Sequence, residues 1–409
     1  MPKKIIVAGA GAAGLLAAGT AAGRGMDVLL LEKNDRVGKK LLISGKGRCN
    51  ITNNTDIEGL IENTPGNGSF LYSSFYSFSN ADIIEFFNKN GLETKVERGE
   101  RIFPCSDRAK DVVDVLKNWV LKCGAKLQLN TPIKEILVEN KKVTGVKTRD
   151  GRVFECDSLI IAMGGASYPG TGSTGDGYAM AERLGHKIVK LKPSLIPLIA
   201  EENWVKELQG LSLKNIEVTF TNNKGKKIYN DFGEMLFTHF GVSGPVILSA
   251  SRHLLDYDYR DVKLGIDLKP ALNEEVLDNR IQRDFGKNLR KQFKNSLDEL
   301  LPQKLIPVII KLSGIHEDKQ VNQITREERR NLVRLLKHLE ISITGARPIE
   351  EAIVTAGGVS TDEINPSTME SKLVKGLFFA GEIIDVDAYT GGFNLTISFS
   401  TGHLAGMNC

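Results

Sequence analysis

The chain opens with an apolar run, Ile5 to Ala8, that gives way to Gly9-Ala10-Gly11-Ala12-Ala13-Gly14. An Ala-rich segment follows to Arg24-Gly25, then a second apolar run from Val28 to Leu31, closed by Glu32. That pattern fits strand, tight glycine turn, helix and strand, with an acid at the tip of the second strand. Further on, Ser79 can cap a helix over residues 80–90 with Ile83, Ile84, Phe86 and Phe87 on one face. Asp107 reads as the cap of another, carrying Val112, Val113, Val115, Leu116 and Trp119. Residues 125–162 read as short strands with turns at Glu139–Lys142 and Asp150-Gly151, ending in the apolar stretch Leu159 to Ala162. A long glycine loop, residues 164–177, then leads into a helix from Tyr178 to Leu184.

From Pro193 to about Leu268 the periodicity changes to alternation (Ile216, Val218, Phe220; Val262, Leu264, Ile266), which predicts antiparallel strands. Residues 273–339 are helical and charged in pattern, with Leu332, Leu335, Leu336 and Leu339 on one face and Pro302 and Pro307 as breaks. Glycine-terminated apolar strands then return at Ile353–Val359 and Gly376–Glu382, and Gly391-Gly392-Phe393-Asn394 opens a last helix. The first and last parts are therefore expected to fold together around an insertion. Its ends abut the glycine-rich strand ends, so it is expected to overhang the ligand crevice of an open α/β sheet.

The chemistry of the first stretch is specific. Gly9 makes the turn, Gly11 leaves room for a pyrophosphate to approach the backbone, and Gly14 lets the helix pack close to the strand, with Ala18 small for the same reason. The helix N-terminus offers unpaired N–H groups to phosphate. Glu32, 18 residues after Gly14, is placed to accept from a ribose 2′-OH. A dinucleotide ligand follows, with FAD and NAD both open at this point. The segment from Arg36 to Asn53 adds a loop rich in glycine, Ser, Asn and Thr with basic residues around it, suited to an anionic or polar ligand.

Composition narrows the class. With 409 residues, 41% hydrophobic and 25% charged, the chain has the profile of a soluble globular protein of two or three domains. A net charge of +4 with no long basic run makes nucleic acid an unexpected main partner. No apolar stretch approaches the roughly 18 residues needed to cross a bilayer. The fingerprint starts at residue 5, leaving no room for a signal peptide ahead of it, so a cytoplasmic enzyme is expected. Five cysteines (49, 105, 123, 156 and 409) lack any CxxC pair, which argues against a disulfide framework and a structural zinc site, and no metal is expected.

The strand Leu377–Ala380 ending in Gly381-Glu382, with Asp385 beyond, resembles the second FAD motif of two-dinucleotide-domain flavoproteins. There the acid binds the ribityl chain and the next helix aims its N-terminus at the flavin pyrimidine, whose reduced form is anionic. Over nearly its whole length the chain resembles the BaiN/RdsA-type (YhiN-like) bacterial flavoproteins, also described as NAD(P)/FAD-dependent or aminoacetone-oxidase-like oxidoreductases. The resemblance rests on Leu41–Asn53, Gly172–Tyr178, Phe237–Pro245, Thr355–Val359 and Gly376–Asn394. It implies an α/β fold: a discontinuous Rossmann-like FAD-binding domain (1–192 and 351–409) interrupted by an antiparallel β-barrel-like domain (193–272), a helical subdomain (273–339) and a return through the barrel (340–350). Two departures stand out: Met163, where related flavoproteins read threonine, and Ala388-Tyr389, where a glycine is common.

Non-covalent FAD is thus the expected cofactor, held by Gly9, Gly11, Ala12, Ala13, Gly14, Glu32 and Lys33 at the adenosine end. Lys40, Ser44, Gly45, Gly47, Arg48, Cys49, Asn50, Thr52 and Asn53 belong to the basic glycine loop. Ala162, Gly164 and Gly165 follow the third strand, and Gly381, Glu382, Asp385, Gly391, Gly392, Phe393 and Asn394 form the flavin end. The expected reaction is hydride transfer through flavin N5, with NAD(P)H a transient donor and an apolar unsaturated small molecule the acceptor. Amine oxidation, or a flavin-binding protein acting on nucleic acid or a protein partner, are the alternatives. For acid/base work His239 is the foremost candidate (otherwise a structural hydrogen-bonding residue), beside Cys49 (otherwise a packed thiol) and Arg48 (otherwise a structural ion pair).

Overall fold

The computed structural model describes residues 2–287 and 289–409, which divide into two compact units, one of residues 2–194 with 348–409 and one drawn from residues 195–347. The first is built on a five-stranded sheet. Its strands are β1 (Lys4–Ala8), β2 (Asp27–Leu31), β3 (Lys126–Gln128), β4 (Ser158–Ile161) and β5 (Leu377–Phe379), in the order β5-β4-β1-β2-β3. All four pairings are parallel, with Ile5 opposite both Val28 and Ser158. A central parallel strand is covered on both faces, which is why Ile5, Ile6, Val7 and Ala8 are all buried instead of alternating.

The Ala-rich segment is helix α1 (Ala12–Gly23), buried along nearly its whole length. It lies between the sheet and the closing helix α2 (Phe393–Asn408), and small residues make that sandwich thin. A Cβ at Gly402 would stand 2.3 Å from the carbonyl oxygen of Ala13, and one at Gly406 2.6 Å from that of Ala17. The two helices therefore touch backbone to backbone, and stretches 389 residues apart in sequence are fixed in one core (Gly402 against Ala13).

The structure departs from the sequence expectation at three places. Asp107 does not cap the next helix, which runs Ala109–Lys122 from an Arg108 cap; Asp107 has φ 54° and gives its carboxylate to Arg48 and Lys95. Pro307 lies in the first turn of helix Ile306–Ser313, where its missing N–H costs nothing, so it starts a helix instead of breaking one. Leu339 is the first residue of strand Leu339–Ala346 and not the end of the helical stripe. The Ser79 cap forms as a full capping box with Asp82.

The second unit is a closed six-stranded barrel, in the order Leu198–Ala200, Gly241–Ser243, Lys227–Phe237, Ser212–Asn222, Val262–Asp267 and Leu339–Ala346. Val218, Phe220, Leu264, Ile266, Ile341 and Ile343 are buried in its core. Helices Glu274–Gly286, Ile306–Ser313 and Arg326–Lys337 share that core through Leu277, Ile281, Ile309, Leu332 and Leu336, and the Arg329 guanidinium (Nε 2.6 Å) joins Asp278 across two of them. The alternation was legible; a helix at Pro245–His253, opened by proline at its first position, was not.

One buried network gives the first unit a pH dependence. The His186 side chain is fully buried, with Nδ1 3.1 Å from Glu363 and Nε2 2.9 Å from Ser371 Oγ. Ser371 Oγ already accepts from the Leu373 and Val374 N–H groups, so its proton points to Nε2 and the ring donates from Nδ1 to Glu363. Burial lowers the His186 pKa, outweighing the opposing pull of Glu363, and His403 is lowered by burial as well. The unfolded chain, titrating near about 6.5, thus takes up protons that the folded chain refuses. Stability is complete above that value and is lost as the pH falls. The thermal midpoint should drop between about pH 7.5 and about pH 5.5, and drop less in His186→Gln. An equal drop in both proteins would remove His186 from the account.

Candidate functional site

The glycine turn after β1 forms as the fingerprint requires. Gly9 has φ 101°, and a Cβ at Gly14 would stand 1.8 Å from the Gly9 carbonyl oxygen, so neither position admits a side chain. Gly11 differs: its backbone is extended (φ −82°) and an added Cβ meets nothing within 4 Å. The space that Gly11 keeps open is not filled by the protein itself. Ala12 and Ala13 form the first turn of α1, whose free N–H groups face that end.

Glu32, 7% exposed, accepts from the Ala10 N–H at 2.7 Å and from the Asn34 N–H and side-chain amide at 2.9 and 2.7 Å. Its carboxylate thus ties the glycine turn to the end of β2. Lys33 bonds to Thr174 Oγ1 (2.5 Å) and pairs with Asp176 at 3.0 Å, joining β2 to the second glycine loop.

A second polar centre lies at the ends of β4 and β5. Lys40 Nζ reaches Ser167 Oγ at 2.7 Å and Glu382 Oε2 at 2.6 Å, while Glu382 Oε1 accepts from the Thr355 N–H at 2.9 Å and from Ser167 at 3.1 Å. Burial pushes the Glu382 carboxyl up; Lys40 and these hydrogen bonds outweigh it and hold the pKa below the usual range. Gly165 is glycine for this cluster, since its Cβ would sit 2.5 Å from Thr355 Oγ1 and 2.8 Å from Glu382 Oε1. Gly164 (φ 73°) and Gly381 (φ 77°) make the neighbouring turns, and Ala162 supplies the carbonyl that packs under Gly9. Ser167 and Thr355 were not singled out beforehand, although Ser167 follows the glycine pair and Thr355 opens one of the signature strands.

The basic glycine loop is sharply bent. Gly45, Lys46, Gly47 and Cys49 all have positive φ (55°, 59°, 83° and 63°). Asn50 Oδ1 is buried here without a hydrogen-bond partner, an acceptor available to a ligand N–H. Thr52 Oγ1 meets Thr396 Oγ1 at 2.7 Å, and the Asn53 amide bridges the carbonyls of Gly99 (3.0 Å) and Gly391 (3.1 Å). Strand 52–53 is thereby fixed against the start of α2. There Gly392 has φ 104°, and a Cβ would lie 2.3 Å from the Thr52 carbonyl oxygen.

Several side chains do something other than face a ligand. Arg48 lies over the Phe103 ring (4.2 Å) and pairs with Glu97 and Asp107, which is the structural ion-pair reading. Cys49 is fully buried, and burial pushes its thiol up to about 12, so it is a packed thiol with almost no thiolate at neutral pH. The Asn394 amide holds the Ala388 N–H and the carbonyls of Ala388 and Tyr389, positioning the turn ahead of α2. Asp385 accepts from the Asn67 amide at 3.0 Å. Ser44 Oγ donates to the Leu41 carbonyl, and Phe393 is buried. His239 lies in the barrel unit, exposed, its ring edge-on to Phe240 at 4.9 Å.

The residues fit a flavin dinucleotide: an open space over Gly11, a buried orphan acceptor at Asn50 and a lined carboxylate at Glu382. Comparison with known proteins agrees. The chain belongs to the HI0933-like family, matching the HI0933-like protein Rossmann domain over residues 3–408. It is 34% identical to the ribosomal RNA dihydrouridine synthase of Haemophilus influenzae, over 98% of this chain and 97% of that protein. It is 31% identical to the 3-dehydro-bile acid delta(4,6)-reductase of Clostridium scindens, over 98% of each. Among solved structures it shares the fold of 3-ketosteroid delta1-dehydrogenase from Sterolibacterium denitrificans, with a TM-score of 0.54 at 15% identity over 99% of both chains. The protein is an FAD-dependent oxidoreductase with a Rossmann-type fold, as the motif resemblance implied. Among the described residues no helix is long and apolar enough to cross a membrane.

Proposed function

We propose that this HI0933-like flavoprotein reduces a carbon–carbon double bond conjugated to a carbonyl group, with NAD(P)H as the electron source. The observation that carries the proposal is the full-length match to two kinds of enzyme whose names describe that outcome. Uridine becomes dihydrouridine by saturation of the bond next to its C4 carbonyl, and a 3-dehydro-bile acid with delta(4,6) unsaturation is a conjugated ketone. The balance is one double bond, one NAD(P)H and one proton giving a saturated bond and NAD(P)+. Nucleic acid, unexpected from composition, thereby becomes a substrate class to test.

Bound FAD supplies the hydride transfer. The chain's residues hold and bias it. In this reading Glu32 takes the adenosine ribose while Gly11 and the first turn of α1 take the pyrophosphate. The Lys40–Glu382–Ser167 cluster lines the ribityl chain, and Asn50 accepts from the ring. The N-terminus of α2, opened by Gly391-Gly392, offers its dipole and free N–H groups to the end that becomes anionic on reduction. Lys33, Lys40, Gly45, Gly47, Thr52, Asn53 and Asp385 keep these parts in register.

Anaerobic mixing with NADH, NADPH or a primary amine separates the readings. The flavin absorbance should bleach with a nicotinamide and return on adding a conjugated ketone or a uridine-containing RNA. Bleaching by amines alone would make the protein an amine oxidase and end this proposal.

A further inference from the structure

We infer that Lys40 sets the redox poise of the bound flavin: by neutralising the buried Glu382 carboxylate, it removes a fixed negative charge that would oppose reduction. Lys40 is thus a positioning residue for the reaction, acting through Glu382. The inference rests on the seat proposed above for the ribityl chain and adds the control of how readily the flavin takes electrons.

Lys40 is placed by the cofactor fold itself. It lies on the short helix Lys39–Ile43, entered through Gly38, whose φ is 67° and whose Cβ would stand 2.8 Å from Val113 Cγ2. The Gly38 N–H donates to the Ala10 carbonyl at 2.9 Å, which fastens this helix to the glycine turn of the fingerprint. From there the ammonium reaches Glu382 Oε2 at 2.6 Å, across 342 residues of sequence. The two side chains are 29% and 15% exposed. Lys39, next along, gives the contrast. It is equally exposed at 29%, but its partner Asp35, at 2.9 Å, is 54% exposed and four residues away. Water and salt screen the Asp35 charge; they reach Glu382 far less.

The other donors to Glu382 are neutral. The Thr355 N–H and the Ser167 hydroxyl hold Oε1 without cancelling its charge, and among the described residues Lys40 is the only cation paired with this acid. Taking Lys40 away would leave a buried charge uncompensated. The field it opposes is visible at Tyr178, whose hydroxyl donates to the Glu382 carbonyl at 3.1 Å. Burial raises the Tyr178 pKa, and the Glu382 and Asp385 carboxylates raise it further. Reduced flavin is anionic, so a bare carboxylate beside it would favour the oxidised form. With Lys40 in place the pair is neutral, and the N-terminus of α2 is left to favour the reduced one.

The test is the midpoint potential of the flavin in FAD-loaded full-length protein, titrated with dithionite against a reference dye. It is run at about pH 8.5, where the two remaining hydrogen bonds keep Glu382 ionised without Lys40. Lys40→Met should lower the affinity for reduced relative to oxidised FAD about tenfold or more, a fall of ~30 mV or more for two electrons. Glu382→Gln, which leaves the ammonium alone, should move the potential the other way. Lys40→Met/Glu382→Gln and Lys40→Arg should both return close to wild type, and Lys39→Met should equal it. A merely structural Lys40 would weaken both redox forms alike and leave the potential in place. Unmoved potentials in Lys40→Met and Glu382→Gln would overturn the inference, as would an equal shift in Lys39→Met. Should Lys40→Met lose its FAD, Glu382→Gln decides alone: a rise supports the inference, and no change or a fall overturns it. Neither NAD(P)H nor an acceptor enters this titration. Shifts as expected in a flavin that no nicotinamide reduces would keep the role of Lys40 and reject the proposed reaction. Unmoved potentials with normal bleaching by NAD(P)H would do the reverse.

Discussion

Replacing Glu32 with alanine is expected to weaken FAD binding by about one to two decades, because hydrogen bonds to a charged acceptor are worth roughly 1.5–3 kcal/mol. The structure gives the loss two sources. The carboxylate proposed to take the ribose also receives the Ala10 N–H and both donors of Asn34, so alanine unties the glycine turn from the end of β2. Glu32→Gln separates them. It keeps one acceptor oxygen for the turn and should fall between wild type and alanine. Isothermal titration of the apoprotein with FAD measures both, and equal affinities throughout would remove Glu32 from the ribose site.

The second large effect is a contrast between two glycines three residues apart. Gly14→Ala should abolish the native turn, since the new Cβ would overlap the Gly9 carbonyl oxygen at 1.8 Å. A clash with backbone of that depth has no side chain to yield, and a loss beyond about 4 kcal/mol is expected. Gly11→Ala should leave the apoprotein as stable as wild type, or slightly more so, because its backbone is extended and the added methyl meets nothing. Yet it should cost about ten- to a hundredfold in FAD affinity, since over-packing a fitted contact costs about 1–3 kcal/mol. Thermal melts without and with FAD read out both variants. A Gly11→Ala protein that binds FAD normally would show that the pyrophosphate does not pass over this residue.

Which parts were legible in the sequence follows from how local their causes are. The fingerprint, the Ser79 cap and the barrel's alternation are set by residues within a few positions of one another, and each forms as read. The discontinuous first unit was legible because its last strand and helix repeat the apolar-run-then-glycine punctuation of its first. What escaped depends on contacts far apart in sequence. Asp107 looked like a cap because its competitors, Arg48 and Lys95, are 59 and 12 residues away. Arg48 looked available to a ligand for the same reason. The Lys40–Ser167–Thr355–Glu382 cluster draws on four separate stretches, and only Lys40 and Glu382 were among the expected cofactor residues, although Thr355 opens a signature strand. Cys49 shows the limit from the other side: its place in a signature loop marked it, but only burial reveals a thiol with no thiolate to offer.

The central claim is that this chain uses NAD(P)H to saturate a conjugated carbon–carbon bond. The most direct measurement is anaerobic turnover of purified, FAD-loaded protein with NAD(P)H, offering a uridine-containing RNA and a steroid enone in turn and recording the product masses. The account predicts a product heavier than its substrate by two hydrogens, formed in step with NAD(P)H consumption. Flavin that neither nicotinamide reduces, or NAD(P)H consumed only with oxygen while both acceptors are recovered unchanged, would contradict it.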